Sequence, residues 1–131
     1  MRVVCQRVTE ARVRVGGELH GEIGPGLVAL VGIARGDNSA TVRRLAAKVA
    51  RLRIFEGGDG RFDLSVADTG GSVLAVSQFT LIADTAKGNR PSFSAAAPPE
   101  EAEPLWEEFC AIVESEGVPV VRGIFGARMN V

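Results

Sequence analysis

Residues Leu27–Ala34 read LVALVGIA, apolar nearly throughout. Such a run fits a strand covered on both faces. Ser72–Phe79, SVLAVSQF, reads the same way and breaks into polar residues at its end. A helix is expected between the two. Asp37, Asn38 and Ser39 are candidate N-caps, and Val42, Leu45, Ala46, Val49 and Leu52 recur at helical spacing. A strand, a helix and a strand in that order favour parallel pairing.

Working outward, residues 2–8 and 11–15 read as strands. Val13 and Val15 alternate with Arg12 and Arg14, and Gly16-Gly17 turns the chain into a return strand from about Glu18 to Ile23. Arg61–Val66 is a short strand between glycine-rich turns. Residues 82–98 form a long loop, a length often tied to function. A second helix starts near Pro99 and ends at Gly117, with Leu105, Phe109, Ile112 and Val113 as its buried stripe. Pro104 suggests that this helix begins after it. Residues 118–122 and 124–131 read as two final strands. The expected fold is α/β, bordering on α+β. It is one domain over residues 1–131, with mixed β-sheets in a barrel-like arrangement and two helices packed outside.

The composition narrows the function classes. The chain has 131 residues, 46% of them apolar and 24% charged, which excludes a disordered or fibrous protein. Lys+Arg is 15 and Asp+Glu is 16, for a net charge of −1. That argues against a strongly basic nucleic-acid binder, and no DNA partner is expected. No segment is apolar for long enough to span a bilayer, so no membrane partner is expected. Cys5, Cys110 and His20 are too few for a disulfide framework or a zinc site. Free cysteines without a signal peptide point to the cytoplasm. No metal or nucleotide cofactor is implied.

His20, the only imidazole, sits among hairpin residues, and nothing in the sequence brings it near Ser77. Cys5 and Cys110 read as small core residues. Arg44, Lys48 and Arg51 share a helix face that reads as solvated. Lys87 and Arg90, in the polar loop, are better candidates for phosphate contacts. Ser77-Gln78-Phe79-Thr80-Leu81 places two hydroxyls and an amide where a buried strand breaks. Backbone N–H groups freed there could hold an oxyanion. Equally, the hydroxyls could simply satisfy the loop backbone.

Several stretches together resemble the D-aminoacyl-tRNA deacylases, also called the D-tyrosyl-tRNA deacylase family. They are Gln6-Arg7-Val8, Arg53-Ile54-Phe55, SQFTL at 77–81, KGNRPSF at 87–93 and GIFGARM at 123–129. The resemblance runs over the whole chain. It implies a cytosolic homodimer that hydrolyses the ester of D-aminoacyl-tRNA without a metal. The terminal adenosine's 2′-hydroxyl would assist the attack, and backbone N–H groups near Phe79 and Thr80 would hold the carbonyl oxygen. By position, Ser77, Gln78, Phe79 and Thr80 would line the pocket. Lys87, Asn89, Arg90, Pro91, Ser92 and Phe93 would shape its mouth or meet the tRNA.

The family's second signature, Asn-x-Gly-Pro-Val-Thr, lies beyond Val131. Its cis Gly-Pro would exclude L-amino acids from the partner's site, braced by the arginine at the position of Arg7. The 131-residue chain is therefore expected to be impaired beside a longer form. The alternatives are a relative that clears glycine or L-alanine from tRNA, and a non-catalytic tRNA-binding or assembly protein that has lost the chiral filter.

Overall fold

The computed structural model describes residues 1–131. Its centre is a four-stranded sheet in the order β1-β4-β7-β8, formed by Arg2–Val8 (β1), Gly26–Gly32 (β4), Ser72–Ser77 (β7) and Val120–Arg122 (β8). β1 runs antiparallel to β4. β4 and β7 pair in parallel, as do β7 and β8. Ala11–Val15 (β2) and Glu18–Ile23 (β3) form a hairpin, and Phe55–Glu56 (β5) and Phe62–Leu64 (β6) a smaller one. The helices are Ser39–Arg51 (α1) and Pro99–Ser115 (α2).

The double covering expected for the central strands is what the structure has. Leu27, Ala29, Val31, Val73 and Ala75 face the helices, in one cluster with Val42, Val49, Trp106, Phe109 and Val113. Val28, Leu74 and Val76 face the other way, onto Val13 and Ile23 of the hairpin. The layers are thus helices, sheet and hairpin. Each parallel connection carries one helix, and both steps move the same way across the sheet. Crossovers of one hand then lay both helices on one face.

The strands do not close into a barrel; they remain three separate sheets. α1 is capped by Asn38, whose side chain accepts from the Thr41 N–H at 3.0 Å. α2 starts at Pro99 and passes through Pro104 instead of beginning after it. Proline at the first helical position fits without loss. Pro104 lacks the N–H that would bond the Glu100 carbonyl, and Glu100 is exposed, so water can serve that carbonyl. Residues 124–131 do not form a strand. Gly126 turns the chain with φ +77°, and a single bridge ties Arg14 to Asn130.

Cys110 is fully buried against the sheet. Burial pushes its thiol up to about 11, while nearby Arg122 pulls it down. In the unfolded chain the thiol ionises near 9.0. The unfolded state therefore loses this proton first as pH rises. Its contribution to stability is complete below pH 9 and is lost on the way to about 11. The loss is expected to be on the order of 2 kcal/mol. Urea midpoints at pH 8 and near 11 should show a steeper fall for this chain than for Cys110→Ala.

Candidate active site

The polar end of β7 is built by a change of backbone course. The Gln78 N–H still donates to the Val31 carbonyl at 2.8 Å, as a parallel strand would. Phe79–Leu81 then winds into a 3-10 turn, in which the Leu81 N–H donates to the Gln78 carbonyl and the Ile82 N–H to the Phe79 carbonyl. The Phe79 and Thr80 N–H groups, at the start of that turn, donate to no protein group. The Gln78 amide hydrogen-bonds the Thr80 hydroxyl. Gly32 lets this turn sit close to β4. A Cβ there would lie 2.9 Å from Leu81 Cβ and 3.0 Å from the Gln78 oxygen.

Beside the turn lies a cavity of about 740 Å³ at the carboxyl ends of β4 and β7. Crevices outside the carboxyl ends of parallel strands are the usual ligand sites of such sheets. Val31, Ile33, Ser77, Gln78 and Phe79 contribute from the sheet side, and Ala102 and Trp106 from α2. Phe125 to Met129 close another wall. Phe93 meets Phe79 edge to face, with ring centroids 5.5 Å apart. Trp106 packs on Phe125 at 5.8 Å. The lining holds no histidine, cysteine or carboxylate, and Arg128 is its one charged side chain. Nowhere in the chain do three or more His, Cys, Asp or Glu side chains gather as a metal site.

Of the residues singled out by sequence, the structure brings Ser77, Gln78, Phe79 and Phe93 to the cavity, while Thr80 stands one residue behind its rim. Lys87, Asn89, Arg90 and Pro91 are exposed in a loop closed by the reciprocal backbone pair of Asp84 and Ser92, both bonds at 2.8 Å. That loop is anchored. The Ala97 N–H donates to Ile33 and the Arg35 N–H to Ala95, each at 2.9 Å. Arg7 is not in the lining; its guanidinium lies 4.8 Å above the Phe62 ring. His20 is exposed on β3, outside the lining. The wall from α2 and residues 125–129 went unassigned by the sequence. The only signal for it was the GIFGARM stretch, which carried family resemblance and no chemistry of its own.

A D-aminoacyl-tRNA deacylase of Deinococcus radiodurans is 52% identical over 131 residues, all of this chain and 90% of that protein. One of Dinoroseobacter shibae is 55% identical over the same span, again 90% of its length. A solved structure of a c-Myc DNA unwinding element binding protein superposes with a TM-score of 0.92 at 38% identity, covering 99% of this chain and 89% of that one. The model of one family, described as D-Tyr-tRNA(Tyr) deacylase, matches residues 4–131. With that span matched and identities above one half along the whole sequence, the chain belongs to the D-Tyr-tRNA(Tyr) deacylase family.

Proposed function

We propose that the chain is an editing hydrolase that cleaves the ester of D-aminoacyl-tRNA to free D-amino acid and tRNA. The observation that carries the mechanism is the pair of unpartnered N–H groups on Phe79, which lines the cavity, and Thr80, one residue behind its rim, beside an apolar lining that holds no protein base. Backbone donors fixed before the reaction can stabilise the oxyanion of a tetrahedral intermediate without reorganising. Activation of the attacking water must then come from the substrate. The 2′-hydroxyl of the terminal adenosine sits next to the ester and can relay that proton. Ser77 and Gln78 shape the floor, and the Gln78–Thr80 hydrogen bond holds the turn in place.

We read the partner as aminoacyl-tRNA, the compartment as the cytoplasm where that substrate is made, and the active form as a homodimer. The dimer reading is supported by large apolar side chains left exposed, among them Val4 on β1 and Leu19 on β3. Light scattering at micromolar concentration should give twice the mass of 13.8 kDa; a monomer mass counts against it. We place Lys87, Asn89, Arg90, Pro91 and Ser92 along the approach of the tRNA end.

The decisive assay is deacylation of D- and L-aminoacyl-tRNA without added metal. Release from D-aminoacyl-tRNA is expected, unaffected by EDTA. Activity abolished by EDTA and restored by zinc would overturn the mechanism. Thr80→Ala should slow the reaction about fivefold, the worth of one positioning hydrogen bond. A covalent aminoacyl ester trapped on Thr80 would instead make it a nucleophile.

A further inference from the structure

Arg128 lines the cavity, is exposed, and enters no ion pair and no side-chain hydrogen bond. Several other cations are already occupied. Arg51 binds Glu116, Arg53 binds Asp63, and Arg122 binds Glu107 and Glu114. Arg2 and Arg35 donate to the carbonyls of Leu81 and Ser94. Of the cations left free, only Arg128 borders the cavity. The α2 wall supplies Pro99, Ala102 and Trp106, none of them charged. An anion arriving at this cavity therefore meets a single guanidinium and no carboxylate in its lining.

The deacylase reading, on which this step rests, limits what that anion can be. The amino acid end of the substrate carries an ammonium group, which Arg128 repels. One ribose away, the terminal adenosine carries a phosphodiester on its 5′ side. A guanidinium matches phosphate oxygens in a paired, planar contact. We propose that Arg128 grips this phosphodiester and thereby seats the ester against the Phe79–Leu81 turn. Arg128 is then a positioning residue that acts through the phosphate and does not touch the reacting atoms.

The test compares the full chain with Arg128→Gln and Arg128→Lys. On D-aminoacyl-tRNA at low salt, Arg128→Gln should raise KM roughly tenfold, the worth of one charge-assisted contact. It should leave kcat within about twofold, and Arg128→Lys should recover most of the loss. The log–log salt slope of KM should fall by about 0.7, the value of one phosphate contact on a single strand. An aminoacyl-adenosine that carries no phosphate should react equally with both forms. A binding arm needs no turnover, because Trp106, the only tryptophan, lines the cavity and reports occupancy by fluorescence. The unsubstituted chain should bind adenosine 5′-monophosphate roughly tenfold tighter than adenosine, and Arg128→Gln should bind the two alike. Equal binding of the two by the unsubstituted chain overturns the proposal. So does an Arg128→Gln defect of the same size with and without the phosphate. If the monophosphate is preferred while no D-aminoacyl ester is cleaved, the phosphate contact stands and the deacylase reading falls.

Discussion

A D-aminoacyl-tRNA that lacks the 2′-hydroxyl on its terminal adenosine should be cleaved at least roughly 100-fold more slowly than the natural substrate, the usual share of a general acid–base group. The expectation follows from the cavity wall. Its lining offers no imidazole, thiol or carboxylate to take a proton from water. His20, the only imidazole, is exposed on the hairpin, outside that lining. The Phe79 and Thr80 N–H groups can stabilise charge but cannot accept a proton. No protein base stands ready to activate the Ser77 or Thr80 hydroxyl, so the substrate's own 2′-hydroxyl, on the carbon next to the ester, is left to relay the proton. Single-turnover rates on the two tRNAs check this directly. Equal rates would mean that a protein group does the work, and Thr80 would be the first to examine.

Gly26→Ala should abolish the native fold, at a cost above ~4 kcal/mol. Gly26 is the first residue of β4 and is held between Val8 of β1 and Ser72 of β7. A Cβ at this position would stand 1.8 Å from the Ser72 carbonyl oxygen. The atom in the way is backbone of the central parallel pair, so no side-chain rotation can relieve the overlap. Gly24→Ala is the matched control two residues earlier. Nothing lies within 4 Å of the added atom, and Gly24 has no positive φ. Its effect should stay within about 0.5 kcal/mol. Thermal unfolding of the pair checks both. A cooperative transition for Gly26→Ala near that of the unsubstituted chain would show that the β4–β7 pairing tolerates a shift.

How legible each part was depends on how local its cause is. The runs at 27–34 and 72–79 revealed the central strands because each is covered on both faces, and double covering leaves a continuous apolar signature. Asn38 announced α1 because a cap is a contact between near neighbours. β5 has two residues, Phe55 and Glu56, too few to show any period. Residues 124–131 look like a strand in composition, yet Gly126 bends them away and the chain uses them as cavity wall. SQF at 77–79 was visible as a polar break in a buried strand, and resemblance supplied its role. Ala96, Ala97, Ala102 and Trp106 gave no hint. Apolar side chains carry no chemistry of their own; Ala102 and Trp106 reach the site only through the packing of α2 against the sheet, and Ala96 and Ala97 only through the backbone pairing of their loop with Ile33 and Ala34.

The parallel pairing of β4 with β7 also has a kinetic side. Leu27 meets Val73 only after the chain has gone out through α1 and the small hairpin and come back. Closing so long a loop costs entropy before any contact repays it, and such topologies fold slowly. α1 and the β2–β3 hairpin are local and can form early. The cavity lies at the carboxyl ends of the two late-pairing strands, so it exists only once that closure is complete. On dilution from urea, helical signal should return ahead of the ability to bind a nucleotide, and the delay measures the closing of the sheet.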